Sequence, residues 1–520
     1  MREIIYIQAG KYSNYVGTHF WNTQEAYFDY SPPRDGEPQK SDIDHDISFR
    51  EGEGRDGTPT YCPRLLIFDS RDNFGALSKL NDLYAPPDDL TRDLSFGAGG
   101  VDEIRQLLIE PSEYQKNLDE EEDSSDPPLK GDQSSSVIHD RYWSDYNRVF
   151  YHPRTIQPVN WGFTEGPLSL ESGRATFGAL NEETSLMEEP FRSFVEECDW
   201  LQGFQVSFDT LPFGAFTLSL LENVKDEYPK KSILAIPSLS PATGKTVTDF
   251  DLSAAWAFSL VTDALVTREL ASSSLTVPIA HVSTWARNLA AVSPYIEFDP
   301  SSLYHTSAVV SAHLESATLP LRHRAGSQGI HEFASKLNWR NDNPFMCLEG
   351  ALPAPPSSAQ VSSYNFTTSH EPGAITAQST VIRCDDLQLA DSIRKHIALR
   401  CSEADLHPSL LHLSTYSSYP LPSSYPKFFK EAADNQTATM YSDLVSRPTS
   451  TATTLQAYSS YLKEYARRGE LNQECWKGLE KDDLNELVED LTRLSDSISV
   501  EMDEKGADDS PPDDEYEVDL

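Results

Sequence analysis

The sequence predicts an α/β protein, because short apolar runs of strand length alternate with longer stretches in which apolar residues recur at helical spacing. Two of the apolar runs read as buried strands, and one of these ends on an acid. Taken in order, an apolar strand begins at residue 3, within Met-Arg-Glu-Ile-Ile-Tyr-Ile-Gln. Leu65-Leu66-Ile67-Phe68 follows as a buried strand with Asp69 at its carboxyl end. Residues 185–199 place Met187, Phe191, Phe194, Val195 and Cys198 on one helical face, and Ser232–Pro237 (SILAIP) repeats the strand pattern. Residues 250–271 are apolar over most of a helical surface, which predicts a buried helix. Trp476, Leu479, Leu484, Leu487, Val488, Leu491 and Leu494 line one face of a long charged helix, expected to be core packing rather than a partner seam.

A chain of 520 residues suggests two to four domains. With 42 Lys and Arg against 82 Asp and Glu, the formal charge is −40, and no Lys/Arg run reverses it locally. Nucleic acid and anionic lipid would be repelled, so no direct nucleic-acid partner is expected. Residues 117–132 hold seven acids and one Lys, and residues 501–520 hold ten acids and one Lys. Both have Pro pairs and almost no large apolar residues, so burial cannot offset their ordering entropy. An acidic disordered insert is expected over 117–138 and a disordered acidic tail over 501–520, with a loop rich in Pro and Ser over 351–373. The tail reads as an electrostatic lure for basic partners or as a solubilising brush.

Six cysteines lie scattered without a CxxC, which fits unpaired thiols in a reduced compartment, and thirteen histidines lack metal-ligand spacing. No metal is expected. No apolar stretch reaches the roughly 20 residues that span a bilayer, and the opening lacks a signal-peptide core. A cytosolic protein, or one held on an organelle surface by a partner, is expected. Ala242-Thr243-Gly244-Lys245-Thr246 looks like the end of a phosphate-binding loop, but Leu239 stands where its first Gly belongs. It and Phe96–Gly100 (FGAGG) are read as turns. No G-x-S-x-G elbow occurs, and nothing in the sequence argues for a Ser/His/Asp triad.

The opening MREIIYIQAGKYSNYVGTHFWN resembles the first strand, loop and helix of tubulin, with its pattern MREI(V/I)-x-IQ-A-G-Q-C-G-N-Q-I-G. CDWLQGFQ at 198–205 and LLENVKDEYPKKSILAIPSLSP at 220–241 are similar to tubulin's CDCLQGFQ and to its helix ending in REEYP before a strand ending in PSP. Between them, RYWSDYNRVFYHPRTI at 141–156 resembles the segment that distinguishes the Misato family, the DML subgroup of tubulin-related proteins. The resemblance runs from residue 1 to about 347. It implies a tubulin-like fold: a Rossmann-type, nucleotide-binding-like domain, a core helix, a smaller α+β domain and C-terminal helices. The boundaries it implies are an N-terminal segment 1–116, its continuation 139–302, the core helix 303–318, the second domain 319–415 and a helical region 416–500. The implied role is mitochondrial partitioning and mitochondrial DNA inheritance, and the implied location is the mitochondrion, peripherally on its cytosolic face, and the cytoplasm. The implied partners are cytoskeletal, chaperonin or mitochondrial-surface proteins.

A tubulin-type GTP site sets backbone N–H groups of Gly-rich turns against phosphate oxygens, with a helix N-terminus behind them. Tubulin's GGGTGSG corresponds here to Asp209-Thr210-Leu211-Pro212-Phe213-Gly214-Ala215, in which only Gly214 survives. Asp209 sets a charge beside the expected phosphates, Pro212 removes a donor, and Leu211 and Phe213 would fill the space. In the first loop Lys11, Tyr12 and Ser13 replace Gln, Cys and Gly, while Gly10 and Asn14 are kept. Asp69 is kept, and Arg71 replaces an acid, altering any magnesium or water network. His281 and the vicinity of Ser302 fall where tubulin has its purine-reading Asn pair, whose loss would leave polar edges unmatched. Glu332 falls near the hydrolytic Glu, although the Asn-x-Asp start of that segment is absent. The degenerate nucleotide-binding positions are therefore Gly10, Lys11, Tyr12, Asn14, Asp69 and Gly214. No catalytic residue, no enzyme activity and no cofactor are expected; the alternatives are a self-assembling GTPase that binds GTP, and a regulator that binds tubulin or the chaperonin.

Overall fold

The computed structural model describes residues 2–28, 41–53, 57, 59–81, 83–84, 109–123, 140–161, 169–242, 254–292, 296–297, 299–353, 363–367, 373–404, 406–427, 429, 436–468 and 480–504. Strand β1 (Ile4–Ala9) leads into helix α1 (Lys11–Glu25), and the hairpin β2 (Phe49–Glu53) and β3 (Pro59–Pro63) precedes β4 (Leu65–Ser70). Helix α2 (Glu113–Asp123), β5 (Ile156–Val159), α3 (Leu170–Thr184), a π-helical turn Met187–Phe191 and α4 (Arg192–Glu196) come next. They are followed by β6 (Gly203–Asp209), α5 (Thr210–Glu227), β7 (Ser232–Ser238), α6 (Ala254–Leu270), β8 (Leu275–Thr276), α7 (Val282–Val292) and α8 (Leu303–Ala317). The remainder is α9 (Ile330–Leu337), β9 (Met346–Ala351), β10 (Tyr364–Asn365), β11 (Ala377–Arg383), α10 (Leu387–Glu403), β12 (Leu411–Tyr416), β13 (Tyr419–Pro420), β14 (Thr437–Ala438), β15 (Met440–Ser446), α11 (Pro448–Arg468) and α12 (Lys481–Glu504).

Six strands form one parallel sheet in the order β5-β4-β1-β6-β7-β8, with Tyr6 opposite Leu65 on one side and Ile4 opposite Gly203 on the other. Successive strands step outward in one direction from β1 to β5 and in the other from β6 to β8. The order therefore reverses between β1 and β6, and at such a reversal a crevice opens beyond the carboxyl ends of the strands. β1 and β4 are buried almost along their whole lengths, as their unbroken apolar runs require in a sheet covered on both faces. One face, with Ile4, Tyr6, Leu65 and Ile67, packs on α1 and α8; the other, with Ile5, Ile7, Phe204 and Val206, packs on Phe177, Phe216 and Leu220 of α3 and α5.

The core helix α8 matches expectation within a residue and carries thirteen buried positions. It lies between the first sheet and a second, mixed sheet of order β10-β9-β15-β11-β12, so one hydrophobic core runs from Tyr6 to Met440 and Leu444. Two buried arginines fasten this junction: Glu315 of α8 accepts from Arg322 at 3.3 Å and Arg383 of β11 at 3.0 Å, and also from Gln24 and Tyr27 of the α1 region.

Four expected boundaries need correction. The region 416–500, expected to be helical, begins with β13, β14 and β15, and β15 lies inside the second sheet, so that domain extends beyond residue 415. Residues 117–123, placed in the disordered insert, continue helix α2, and 501–504 of the expected tail end α12; 124–138 and 505–520 lie outside the described residues. Residues 185–199 are a π-turn joined to a short helix rather than one helix, with Met187, Phe191 and Phe194 buried. Leu484, Leu487, Val488 and Leu491 pack against α11 and α6, whereas Trp476, Leu479, Phe96–Gly100 and 243–246 lie outside the described residues. Among the described residues no helix is long and apolar enough to cross a membrane.

Candidate functional site

The crevice at the strand-order reversal is built by the β1–α1 turn, the carboxyl ends of β4 and β6, and the start of α5. Gly10 turns the chain from strand into helix at φ 106° and ψ 157°, a region open to glycine and strained for other residues. Its N–H donates to the Phe68 carbonyl of β4 at 3.0 Å, which aims the first turn of α1 across the end of the sheet. The N–H groups of such a turn lack partners within the helix and sit at the positive end of its dipole, where an anion is favoured.

That anion is supplied by the chain. Asp209, the last residue of β6, accepts from the N–H of Tyr12 at 2.8 Å, the N–H of Ser13 at 2.9 Å and the Ser13 hydroxyl at 2.7 Å. A Cβ placed on Gly10 would stand 2.6 Å from the Asp209 carboxylate, so glycine admits the carboxylate rather than a ligand. Asp209 is 8% exposed. Burial pushes its carboxyl up to about 7, against the pull of the Ser13 and Tyr12 hydrogen bonds and with a further upward push from Asp69.

Two more buried carboxylates flank it, each already saturated. Asp69 accepts from Asn14 Nδ2 at 2.9 Å, Trp143 Nε1 at 3.0 Å, Asn73 Nδ2 at 2.7 Å and the Ser70 N–H at 2.7 Å. Burial raises its carboxyl, with these hydrogen bonds opposing. Asp263 of α6 accepts from the hydroxyls of Thr210 at 2.5 Å and Ser240 at 2.6 Å, which ties the start of α5 to the end of β7. Phosphate oxygens brought here would meet three carboxylates and donors already in use, so these residues do not fit a guanosine polyphosphate.

Of the expected positions, the structure brings together Gly10, Tyr12, Asn14, Asp69 and Asp209. Lys11 is half-buried in the same turn and has no ion pair among the described residues. In the stretch 209–215, expected as a degenerate loop, β6 ends at Asp209, the backbone turns through extended Leu211 (φ −122°, ψ 124°), and the rest belongs to helix α5. Gly214 therefore lies inside a helix, where a Cβ would come within 2.8 Å of Thr262 and 3.2 Å of Val266; it permits α5 to cross α6 closely and does not line the crevice. Phe213, expected to fill phosphate space, packs instead on Trp161 and Phe216 on the opposite sheet face. Arg71 is exposed, and Asn73 is the side chain of that turn that reaches Asp69. His281 pairs with Ser283 at 2.8 Å, Ser302 caps α8 and donates to Asp140, and Glu332 pairs on the surface with Lys336 at 3.0 Å.

Sequence reasoning missed Trp143, Asn73 and Asp263. Trp143 belongs to the segment 141–156, which had been singled out only for its likeness to other sequences. That segment covers the crevice: Tyr146 stacks on Tyr304 at 3.8 Å, two residues beyond Ser302, and Arg148 reaches Glu25 of α1 at 3.2 Å. Aromatic rings thus occupy the neighbourhood where purine-reading amides were sought.

Comparison with known sequences agrees with this architecture. Residues 2–120 match the family described as Misato Segment II tubulin-like domain, and residues 132–323 match a tubulin domain. The chain is similar to "Protein DML1" of Gibberella zeae, 32% identical over 472 residues, 85% of this chain and 89% of that protein. It is 38% identical to "Protein dml1" of Aspergillus oryzae over 65% of this chain and 64% of the relative. "Protein misato" of Drosophila melanogaster is 32% identical over 64% of this chain and 62% of its own length.

Proposed function

The chain belongs to the Misato family of tubulin-like proteins, and from that premise we propose a non-catalytic member that acts by binding other proteins in the partitioning of mitochondria and the inheritance of mitochondrial DNA. The observation that carries the non-catalytic part is the Asp209 carboxylate on the Tyr12 and Ser13 N–H groups. A carboxylate held covalently in the fold has no translational entropy to lose on reaching those donors, so a free phosphate competes at a disadvantage. Its burial adds a repulsive charge that a ligand would have to displace or neutralise.

The organelle role rests on the family resemblance, and the reading places the protein peripherally on the cytosolic face. The partners it envisages are organelle-surface, cytoskeletal or chaperonin proteins. Protein isolated from its own cells, denatured and chromatographed for released nucleotide tests the first part: no guanine nucleotide is expected, and a stoichiometric yield of GDP or GTP overturns it. A fluorescent fusion on isolated mitochondria tests the second: digestion by added protease without detergent is expected, and protection overturns it. Half-buried Lys11, standing at the first turn in place of the tubulin pattern's Gln, favours the rival reading of a GTP-binding, self-assembling protein; the nucleotide assay separates the two.

A further inference from the structure

We propose that two copies of this chain join through β12, the open edge of the second sheet, as antiparallel neighbours about a twofold axis at Leu413. β12 ends the strand order β10-β9-β15-β11-β12, and among the described residues it pairs with β11 alone. The Cys384 N–H donates to the Tyr416 carbonyl at 2.9 Å, so the backbone of Tyr416 faces β11. Backbone direction alternates along a strand, so His412 and Ser414 also face β11, while Leu411, Leu413 and Thr415 aim their N–H and C=O groups outward. Such a row is a template for another strand, and natural edges are guarded by a charge, a proline, a bulge or shortness. The other edge, β10, has two residues; β12 has six, in unbroken register from Leu411 to Tyr416, with no charge and no proline. Burial, with Lys336 nearby, holds the His412 imidazole below its ordinary value, so it too is neutral near pH 7.

Register and shape select the chain itself as the occupant. In an antiparallel pair, residues with outward backbones meet each other, so Leu413 meets Leu413 of the second copy and Leu411 meets Thr415, each pair exchanging two hydrogen bonds. Leu413, 38% exposed, is then covered by its own counterpart. Helix α10 shares the axis. Arg394 donates to Thr415 Oγ1 at 2.8 Å, and the Cys401 thiol donates at 3.3 Å to Oε1 of Gln378, which stands opposite Leu411, so α10 passes Leu413 near Ala398. Ala398 and Ser402 are exposed and small on this flank, which lets two α10 helices approach across the axis. That adds contact, which a strand pair needs to reach the roughly 1,200 Å² of a stable interface. A chain of charge −40 repels its copy at long range, but charges beside this axis are closed in pairs: Asp391 with Arg394 at 2.8 Å, and Glu332 with Lys336 at 3.0 Å. Exposed Lys395 and Leu399 lie on the face of α10 opposite buried Ile397. The surface belongs to a different sheet from the Asp209 crevice, so the inference stands apart from the proposed function.

Sedimentation velocity of the full chain over about 0.5–50 µM at about 0.15 M salt, where charges beyond roughly 8 Å are screened, tests this. A monomer–dimer equilibrium that tightens with added salt is expected. Leu413→Lys sets like charges opposite each other on the axis, and Leu413→Pro removes an N–H that faces away from β11. Each should weaken the dimer about tenfold or more while urea unfolding stays cooperative. Leu399→Lys, on the outer face of α10, should change it less than about twofold. Leu413→Cys should give a disulfide dimer under mild oxidation beyond the wild-type background, since hydrogen-bonded antiparallel partners stand about 5.5 Å apart at Cα. A wild-type chain that stays monomeric across the range would overturn the proposal. So would a dimer indifferent to Leu413→Lys and Leu413→Pro, or masses that climb past the dimer as in open head-to-tail assembly.

Discussion

Replacing Asp209 by alanine removes the acceptor of two backbone N–H groups and one hydroxyl at the first turn of α1. Buried donors left without partners cost about 1–3 kcal/mol each. Part of that loss is recovered, because the desolvation that pushes the Asp209 carboxyl up to about 7 disappears with the group. A net destabilisation of about 3 kcal/mol is expected from these terms. For a cooperative unit of about 300 residues this lowers the melting temperature by about 5 °C. The variant also bares a helix N-terminus with glycine behind it. Inorganic phosphate at about ten times its dissociation constant should then restore about 1.4 kcal/mol, or roughly 2 °C, to the variant and nothing to the wild type. Differential scanning fluorimetry with and without phosphate, using chloride at matched ionic strength as control, reads both effects. An unchanged melting temperature in the variant, or equal stabilisation of both proteins by phosphate, would refute the reasoning.

Further outcomes follow from the same structure. The folded-state value of about 7 for Asp209 lies above its unfolded value of about 3.9, so between these limits the folded protein holds the extra proton. Its contribution is therefore largest at low pH and declines as pH rises through about 7; Asp209→Asn should flatten the urea-measured stability slope over pH 5–7 by up to about 1.4 kcal/mol per unit relative to wild type. Glu315→Ala strands Arg322 and Arg383, both essentially unexposed, and should cost about 3–5 kcal/mol in urea unfolding, whereas replacing all three by apolar residues should cost much less. Gly214→Val forces a side chain against Thr262 and Val266 and should destabilise by about 2 kcal/mol without altering phosphate response, since that residue packs helices and touches no crevice donor.

The parallel sheet was legible because its strands are buried on both faces and so read as unbroken apolar runs, as Leu65–Phe68 and Ser232–Pro237 do. The resemblance to tubulin implied a core helix over about 303–318, and α8 spans Leu303–Ala317. β15 was not legible, since its buried run Met-Tyr-Ser-Asp-Leu-Val-Ser carries Asp443, a charge that looks solvent-facing until Arg400 of helix α10 is found 3.7 Å away. At the crevice the residue types were foreseen but not their roles. Asp209 reads in the sequence as a charge beside the expected phosphates, yet its hydrogen bonds reach back nearly 200 residues to Ser13, a distance that no local pattern records. Gly214 misled for a related reason: glycine serves a phosphate turn or a close helix crossing equally well, and only the position of Thr262 distinguishes them. Trp143 stood inside a conspicuous aromatic segment, but its indole N–H could not be assigned to Asp69 without the fold.

In the proposed reading the chain's own Asp209 carboxylate holds the place of a nucleotide phosphate. Equilibrium titration of the purified wild-type protein with labelled GTP in magnesium tests it most directly. No saturable binding in the micromolar range is expected, and magnesium-dependent binding at micromolar affinity or tighter would contradict the account.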